Sequence, residues 1–410
     1  MPTALVSGAS IAGPAVAYWL HQAGWEVTLV ERATRIRGGG YPIDVRGSAA
    51  EVARRMGIYD AISAARTRHQ TARILAPIGR PIASFALGDL IAGVSTEDVE
   101  LPRGELTRIL YDLTRNDIEY VFDNSVAAID EHPDRVDVSF VTGPPRTFDV
   151  VIGADGIHST TRRLAFGPEE RFIRHLGPCA AIYDIDEPIG EAGVGYMYSR
   201  PGNTMMVGRG ETGPARAFLA FEVQDPGSVD VRDPAAAARL AEQVYGDARW
   251  PLAARVVRAL PEAGDLYFDT VSQVRMPSWS TGRVAVVGDA AFAPSFLSGQ
   301  GTSIALIGAY MLAAELATAP DGPAGALRAY ENRLRPFVER NQALALRPHS
   351  SVLPRTARAL RRRNLKFRVA PWLQRLGLLK LLASAPVRDA SNDIELPAVS
   401  SRSGLRPGAR

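Results

Sequence analysis

The chain has 410 residues, of which 46% are hydrophobic and 22% are charged. It is long and apolar enough to bury about two or three domain-sized cores, which excludes a disordered or fibrous protein. The formal net charge of +3 makes nucleic-acid binding unexpected. A single cysteine, Cys179, allows no internal disulfide. With no secretory leader and every apolar run interrupted, we expect a cytoplasmic chain without a transmembrane span.

The first informative motif is a glycine-rich turn near the N-terminus. An apolar run ends at Gly8, and the chain continues through Gly13 into an apolar helical stretch. A second apolar run, residues 26–30, ends at Glu31. In such a strand, turn, helix and strand unit, Gly8 supplies the tight turn, Gly13 lets helix and strand approach, and helix amides face a pyrophosphate. Glu31 is then placed to accept from a free ribose hydroxyl, which disfavours a 2′-phosphate.

This turn departs from the full Gly-x-Gly-x-x-Gly pattern because Ser10 replaces the middle glycine. The replacement is small and polar, so the backbone still comes near the phosphates. The predicted cofactor contacts of this region are Gly8, Ser10, Ile11, Ala12, Gly13, Glu31 and Arg32.

Two further apolar runs end in a carboxylate that a sharp turn leaves exposed. One run ends in Asp155-Gly156 and the other in Gly288-Asp289. At the carboxyl edge of an open α/β sheet, such carboxylates lie where ligands bind. Three sites of this kind, in this order, predict one large dinucleotide cofactor that the chain contacts at several points.

Together these motifs resemble those of the class A flavoprotein monooxygenases. This family comprises the para-hydroxybenzoate hydroxylase-like aromatic hydroxylases, and its shorter members include the tetracycline-inactivating monooxygenases. The resemblance covers roughly residues 1–345. It implies bound FAD, with NADPH or NADH as a transient electron donor and O2 as a co-substrate.

The resemblance also carries cofactor contacts to particular positions. Asp155 and Gly156 fall on the motif associated with the FAD pyrophosphate region and with nicotinamide cofactor use. Asp289, after Gly288, falls where an aspartate accepts from a ribityl hydroxyl. Arg103 falls on a flavin-contacting arginine that precedes a helix. The other positions placed beside the flavin are Arg46, Pro294, Gly299, Gln300, Gly301 and Thr302.

The loop at residues 299–302 has a physical role of its own. Amides at a helix N-terminus carry partial positive charge, so they stabilise the negative charge of a reduced flavin. The alternative is an ordinary glycine-bearing connector before a packed helix. Three residues nearby depart from the family: Phe292 replaces a usual His, Ser303 a usual Asn, and Gly308 a common acid. These departures alter the shape and polarity of this pocket wall.

The order of elements predicts an α/β fold in which a Rossmann-like FAD-binding domain is interleaved with a β-rich substrate domain and followed by C-terminal helices. We assign residues 1–70, 100–171 and 276–320 to the FAD-binding domain, and 71–99 and 172–275 to the substrate domain. Residues 321–388 are assigned to C-terminal helices and 389–410 to a flexible tail.

The predicted strands of residues 172–275 are rich in aromatic rings and thioethers, and we place the substrate there. An apolar aromatic molecule fits such a surface, and one cation suits an acidic group. Alternating aromatic and methionine residues are equally typical of a plain sheet core. The candidate substrate contacts are Tyr196, Tyr198, Met205, Met206, Arg209, Phe218 and Phe221, with Phe292 from the pocket wall.

The resemblance implies that the cofactor carries the chemistry while the protein supplies position, electrostatics and water exclusion. NADPH or NADH reduces FAD, O2 adds at flavin C4a, and the terminal hydroperoxide oxygen passes to an aromatic or polyketide-like small molecule, as in secondary metabolism. Hydroxylation is the expected outcome, with Baeyer–Villiger oxidation and epoxidation left open. We expect no metal and no catalytic base, because His21, His69, His158 and His175 show no convincing partners.

Two other functions stay open. Related flavin folds serve halogenation, although the chain has no Trp-x-Trp-x-Ile-Pro motif. A non-catalytic FAD-binding partner protein is the second alternative, since Phe292 and Ser303 are unusual. The sequence does not define the oligomeric state.

A basic stretch near the C-terminus, residues 355–382, combines Arg and Lys with many leucines. We expect it to pack its leucines on the body of the protein and to solvate its charges. The alternative is a basic amphipathic helix at an anionic surface or membrane interface.

Overall fold

The computed structural model describes residues 1–36, 38, 41–67, 71–85, 97–210, 213–318, 322–346, 352–375 and 390–397. The helices are α1 (Ala12–Gln22), α2 (Ser48–Arg55), α3 (Tyr59–Ala64), α4 (Arg103–Thr114), α5 (Thr160–Phe166), α6 (Pro234–Tyr245), α7 (Pro251–Ala259), α8 (Asp289–Phe292), α9 (Gly301–Ala317), α10 (Pro323–Ala345) and α11 (Ala357–Arg375). The strands are β1 (Thr3–Ser7), β2 (Glu26–Glu31), β3 (Pro42–Val45), β4 (Thr71–Leu75), β5 (Pro81–Phe85), β6 (Val99–Pro102), β7 (Glu119–Phe122), β8 (Val126–Glu131), β9 (Val136–Phe140), β10 (Arg146–Phe148), β11 (Val150–Gly153), β12 (Ile173–Ile185), β13 (Val194–Arg200), β14 (Asn203–Gly208), β15 (Ala215–Glu222), β16 (Tyr267–Val274), β17 (Ser280–Thr281) and β18 (Val284–Val286).

The first sheet is six-stranded, in the order β17, β18, β11, β1, β2, β7. All its neighbouring strands run parallel except β17 and β18. Strands β1, β11 and β18 are buried on both faces, as expected of a parallel sheet that is covered on each side. Ala4 and Val6 face the cluster that includes α1 and α9, whereas Leu5 faces the cluster that includes β8 and β9. The three strand-end motifs therefore lie at the same edge of this sheet.

The second sheet is seven-stranded, in the order β16, β12, β15, β14, β13, β4, β5. Its strands come from two separate stretches of the chain, because β4 and β5 precede the return to the first sheet and β12 to β16 follow it. This interleaving confirms the predicted fold class. The domain boundaries themselves stay a prediction.

One face of the second sheet packs on α6 and α7. Side chains of this face, such as Tyr183 and Leu219, share a buried cluster with Ala241 of α6 and Val256 of α7. The sheet therefore has a second, opposite face that is not used for this packing.

Helices α10 and α11 complete the described fold. Helix α10 packs on α9, and α11 packs on β5 and β13. In the part of the chain that the structure describes, no helix is both long and apolar enough to cross a membrane.

The prediction of a flexible tail from Asp389 is wrong for residues 390–397. Ala390 and Ser391 are buried, and the Asn341 amide donates to the Ala390 carbonyl at 3.1 Å. The Pro397 carbonyl accepts from Arg55 and from the Tyr310 hydroxyl. This segment packs on the protein because its carbonyls accept hydrogen bonds from side chains of α2, α9 and α10. Asp389 and residues 398–410 lie outside the described residues.

Candidate functional site

Neither Gly8, in the turn between β1 and α1, nor Gly13, in the first turn of α1, has room for a side chain. Gly8 has φ +106°, and a Cβ built there would lie 2.5 Å from the Ala154 carbonyl oxygen. A Cβ built on Gly13 would lie 1.8 Å from the Gly8 carbonyl oxygen. The bare backbone of this turn therefore sits against both α1 and the end of β11, as the sequence predicted for a phosphate-binding turn.

Glu31 lies at the end of β2 beside this turn. Its Oε2 accepts from the Ala9 amide at 2.8 Å, and its Oε1 accepts from the Ala33 amide at 2.9 Å. Each carboxylate oxygen has a second lone pair, so the fixed carboxylate keeps acceptor capacity for a ribose hydroxyl. The neighbouring Arg32 is exposed, whereas Ile11 and Ala12 are buried in the cluster around α1.

Arg103 connects the turn to a second part of the site. It begins α4, and its guanidinium donates to the Ser10 hydroxyl at 2.7 Å. Its backbone amide donates to the Tyr41 carbonyl at 3.1 Å. The serine that replaces the middle glycine thus has a specific partner, which no sequence pattern predicts.

The Asp155 carboxylate accepts hydrogen bonds from residues of its own loop. The Ser159 hydroxyl donates to one carboxylate oxygen, and the Thr161 amide and hydroxyl donate to the other at 2.9 and 3.0 Å. These bonds cap the start of α5. Gly156 has φ +81°, and a Cβ built on it meets no atom within 4 Å. The Asp-Gly motif therefore offers a cofactor open backbone at Gly156, while Asp155 fixes the shape of the loop.

Asp289 is an exposed carboxylate at the end of a buried run. Residues 284–288 before it and Ala290 after it are buried. The surrounding protein nevertheless raises the pKa of Asp289 through burial, an effect that Arg103 opposes and Asp269 increases. The Asp289 side chain thus has solvent-accessible surface although protein surrounds it, which places it on the wall of a cleft. Gly288 brings this cleft close to α1, since a Cβ built on it would lie 3.0 Å from the Ala12 Cβ.

The loop after α8 closes one end of the cleft. Pro294 is buried, and its carbonyl accepts from the Gln273 amide at 3.1 Å. Gly299 adopts the left-handed region, with φ +65°. Cβ atoms built on Gly299 and Gly301 would lie 3.9 Å from carboxylate oxygens of Asp44 and Asp289, respectively. Gln300 and Thr302 are buried where the loop enters α9.

Ser303 connects this loop to the end of β3, which Arg46 follows. Its hydroxyl accepts from the Arg46 amide at 3.0 Å and donates to the Asp44 carbonyl at 3.2 Å. The Arg46 guanidinium pairs with the Asp44 carboxylate at 2.9 Å. Burial raises the pKa of nearby Glu100 to about 7, and Asp44 adds to this rise while Arg46 opposes it.

Tyr41 and Tyr267 are site residues that the sequence reasoning missed. Their rings lie 5.6 Å apart, with Tyr41 before β3 and Tyr267 at the start of β16. Tyr267 is 38% exposed, although surrounding protein raises the pKa of its hydroxyl well above 10. Like Asp289, it therefore lines the enclosed cleft. No local pattern marks these tyrosines, because they come from two distant segments of the chain.

The pairing register of the second sheet shows which of its side chains share one face, and this face lies toward the cleft. Neighbouring strands place five side chains in one row: Tyr267, Ile182, Phe218, Met206 and Met197. The row faces the cleft because Tyr267 contacts Tyr41 and because Phe218 lies 5.4 Å from Phe296 of the loop before α9. Of the candidate substrate residues, Met206 and Phe218 lie in this row.

The other candidate substrate residues lie elsewhere. Tyr198 stacks on Trp250 and Phe221 packs on Tyr245, so both belong to the face covered by α6 and α7. Tyr196, 8% exposed, is on that same face and also contacts Trp250. Contrary to the expectation from the sequence, these rings do not face the cleft, because strand alternation turns them to the opposite side from Met206.

Two more candidates are also displaced from the cleft. Phe292 is 1% exposed and packs on Trp279 at 4.7 Å, so it is a core residue beneath the loop. Arg209 follows β14 and continues the alternation of Met205 and Val207, which face the helices. The cation on the cleft-facing side is Arg216, which forms a two-bond pair with Asp184 at 2.6 and 2.8 Å.

The prediction that His158 lacks partners is wrong. Its Nδ1 lies 2.9 Å from Glu169 and its Nε2 lies 3.0 Å from Asp269. Hydrogen bonds to Asp269 and then to Glu169 raise the pKa of His158 to about 9, so the ring is protonated at neutral pH. His175 also has partners, since its Nδ1 lies 2.9 Å from the Ser272 hydroxyl. His69 lies outside the described residues.

The buried Arg162 connects the Asp-Gly loop to the segment after Asp289 through hydrogen bonds. Its guanidinium, with no exposed surface, donates to the Ala290 carbonyl at 2.9 Å and to the Ile157 carbonyl at 2.6 Å. It also pairs with Glu169 at 3.1 Å. Two motifs that are distant in sequence are thereby held at one edge of the first sheet.

The described residues fit an FAD molecule. The turn around Gly8 and Gly13 leaves bare backbone, Glu31 and Asp289 supply carboxylate acceptors, and Arg46 and Arg103 supply cations. Pyrophosphate, ribose and ribityl hydroxyls, and an electron-rich ring system require donors and acceptors of these kinds.

Comparison with known proteins agrees with this geometry. The FAD binding domain family matches residues 2–345, and this chain belongs to that family of class A flavoprotein monooxygenases. An uncharacterized protein of Mycobacterium tuberculosis is 40% identical, over 84% of this chain and 92% of its own. A flavin-dependent monooxygenase of Legionella longbeachae is 35% identical, over 97% of this chain and 98% of its own. The structure of tetracycline destructase Tet(55) has 34% identity and a TM-score of 0.80, covering 96% of this chain and 98% of that one. The protein is thus a flavin-dependent monooxygenase that binds FAD.

Proposed function

We propose that this enzyme uses NADPH or NADH and O2 to hydroxylate an aromatic or polyketide-like small molecule of secondary metabolism. The observation that carries the proposal is the row of apolar side chains on the second sheet that faces the cofactor loop across the cleft. Phe218 and Tyr267 of this row contact Phe296 and Tyr41, which belong to the cofactor side.

FAD, when bound, supplies the redox chemistry: it accepts electrons from the nicotinamide donor and activates O2. The chain supplies the surroundings. The amides at the start of α9 and the cations Arg46 and Arg103 favour negative charge in the cleft. Asp289 is placed to accept hydrogen bonds from the cofactor, and the surrounding protein raises its pKa through burial while Arg103 opposes that rise. The protein thereby positions the cofactor and limits solvent at the place of reaction.

A flat apolar substrate matches the cleft-facing row. Met197, Met206 and Phe218 are half-buried, so each has apolar surface left for a ligand. Thioethers and aromatic edges pack well on planar rings. A fused-ring molecule lying across these three strands would bury that surface against the sheet.

The edge of this row offers recognition of a polar group. One step along the strands, the Asp184 and Arg216 pair lies in register with Gly208 and Gly195. The two glycines leave this part of the sheet without side chains. A carbonyl, enol or carboxylate at one end of the substrate fits beside the Arg216 guanidinium, which carries donors on its free edges.

The relatives support this substrate class. Tet(55), 34% identical, is described as a tetracycline destructase, and tetracyclines are fused-ring polyketides. This chain has an apolar face on its second sheet, and we assign it a substrate of the same broad chemistry.

The test is to purify the protein, add NADPH or NADH, and screen fused-ring and simple aromatic compounds. We expect at least one compound to accelerate both flavin bleaching and O2 consumption, and to gain one oxygen atom by mass spectrometry. Flavin that is never reduced faster with any compound, in a protein that still binds those compounds, would support the non-catalytic binding partner. A product that requires chloride would support the halogenase.

A further inference from the structure

The chain contains one strongly basic segment, although its overall net charge is small. Residues 340–388 contain twelve Arg and Lys residues and no Asp or Glu. The rest of the chain therefore holds 35 basic and 44 acidic residues. Positive charge is therefore concentrated in one stretch of a chain whose remainder is net acidic.

Helix α11, within this segment, has one face fixed to the protein. Leu360 and Arg363 are buried, at 4% and 7% exposure. The Arg363 guanidinium donates to the Ser199 hydroxyl on β13 at 3.1 Å, and the arginine lies over the Phe367 ring. These contacts settle which side of the helix packs on the second sheet.

The opposite side of α11 exposes a stripe of large apolar residues. Leu365 is 59% exposed, Val369 37% and Trp372 62%. Their spacing of four and three residues places them on one helical face. Large apolar side chains that are this exposed are few among the described residues, and three of them meet on this single helix.

Basic side chains flank the apolar stripe. The exposed Arg and Lys residues of the helix are Arg358, Arg361, Arg362, Lys366 and Arg368. No ion pair joins these five side chains to a carboxylate within the described ranges. An exposed apolar stripe bordered by cations, with a tryptophan among its members, matches the interface of a lipid bilayer.

We propose that the outer face of α11 binds the surface of an anionic phospholipid bilayer. Leu365, Val369 and Trp372 enter the boundary between headgroups and acyl chains, while the flanking cations lie near lipid phosphates. A nucleic acid is a poorer partner because it would leave the apolar stripe in water. This inference goes beyond the proposed reaction and does not depend on turnover.

The tryptophans of this chain provide a built-in reporter. Trp19, Trp25, Trp250 and Trp279 are 7% exposed or less, whereas Trp372 is 62% exposed. Contact with lipid therefore changes the fluorescence of Trp372 and leaves the other four tryptophans largely unaffected.

The experiment mixes the purified FAD-loaded protein with vesicles of phosphatidylglycerol and phosphatidylcholine, or of phosphatidylcholine alone. We expect sedimentation with the anionic vesicles only, at least a tenfold weaker apparent affinity at high salt, and quenching of Trp372 by brominated lipid. The variant L365S/W372S and the variant R361Q/R362Q/R368Q should each lose at least tenfold in apparent affinity. The control R108Q/R115Q removes two exposed arginines, one on α4 and one directly after it, and it should bind vesicles like the parent protein.

Three results would overturn the proposal. They are no sedimentation with anionic vesicles, equal affinity for both vesicle types, or equal loss in the α4 control. A parent protein that binds a duplex oligonucleotide more tightly than anionic vesicles would also overturn it. Each variant must keep the flavin content and the melting temperature of the parent, which shows that the substituted surface is not needed for folding. Because vesicle binding needs no turnover, its failure is distinguishable from failure of the proposed reaction.

Discussion

Asp289 is the residue whose position most directly marks the cofactor cleft, since it is exposed inside an otherwise buried stretch. We predict that Asp289→Ala weakens FAD binding by about 10- to 100-fold, because hydrogen bonds to a charged group contribute about 1.5 to 3 kcal/mol. Titration of the apoprotein with FAD, followed by flavin fluorescence, measures this. Asp117→Ala, at an exposed position near the other end of the first sheet, is the control. Equal affinity of Asp289→Ala and the parent would remove Asp289 from the cofactor site.

His158 makes the stability of the protein depend on pH. Its folded-state pKa of about 9 lies above the ordinary 6.5, so its contribution is complete below about pH 6.5 and is lost as the pH rises to about 9. The ring is one-third exposed, and we therefore expect about 1 to 2 kcal/mol rather than the full value of the shift.

The measurement for His158 is urea unfolding of FAD-saturated parent and His158→Gln at pH 6 and pH 9.5. The difference in free energy of unfolding between them should shrink at the higher pH. His132→Gln is the matched control, since His132 also contacts two carboxylates but both are on the surface. A difference that does not vary with pH would contradict the assigned role.

At the residue scale, the sequence predicted the glycines well and the hydrogen-bonded side chains poorly. Gly8, Gly13 and Gly288 were recognisable because each serves a backbone conformation that depends on its near neighbours. The contacts of Ser10 with Arg103 and of His158 with Asp269 were not, because these partners lie 93 and 111 residues away along the chain. Asp155 was placed correctly at a strand end, but its role as a cap of α5 depends on Ser159 and Thr161.

The first element to test is the turn before α1. Gly13→Ala forces a Cβ against the Gly8 carbonyl, and we expect it to destabilise the protein by at least about 3 kcal/mol and to prevent FAD retention. Gly24→Ala is the control: Gly24 also has positive φ, but its built Cβ meets no atom within 4 Å. It should cost only about 1 to 2 kcal/mol and keep the flavin. Similar melting temperatures for the two variants would contradict this close packing.

The two faces of the second sheet should respond differently to truncation. Phe221→Ala, on the helix-covered face, should destabilise the protein by about 3 to 5 kcal/mol, with little change in KM for a substrate once the protein is folded. Phe218→Ala, on the cleft-facing side, should destabilise it by less than about 2 kcal/mol and raise KM at least tenfold. Thermal unfolding and steady-state kinetics measure both. If Phe221→Ala raised KM and Phe218→Ala did not, the substrate would lie on the helix-covered face, contrary to our proposal.

At the element scale, strand alternation was visible in the sequence, but the identity of the cleft-facing side was not. Tyr196, Tyr198 and Phe221 have the composition of a ligand surface, and so do Met197, Met206 and Phe218. Only the packing of α6 and α7 on one side decides between the two sets. Since these helices follow the strands in sequence, no local pattern shows which side they cover.

At the scale of the whole molecule, the ordered motifs predicted more than any one of them. Because the carboxyl ends of parallel strands lie at one edge of a sheet, the three strand-end turns were expected to lie close together. In the structure they do lie at one edge of the first sheet. The second sheet required strands from two distant segments, and β4 pairs with β13 as an interleaved fold demands. The packed segment 390–397 was not predicted, because its order comes from contacts with α2, α9 and α10 rather than from its own composition.

The central claim is that these distant segments meet around one FAD molecule. The most direct measurement is the visible absorption spectrum of the purified, folded protein, together with the flavin released on denaturation. We expect a yellow protein, or an apoprotein that becomes yellow on addition of FAD, with one FAD per chain. A folded protein that stays colourless and shows no binding of added FAD would contradict it.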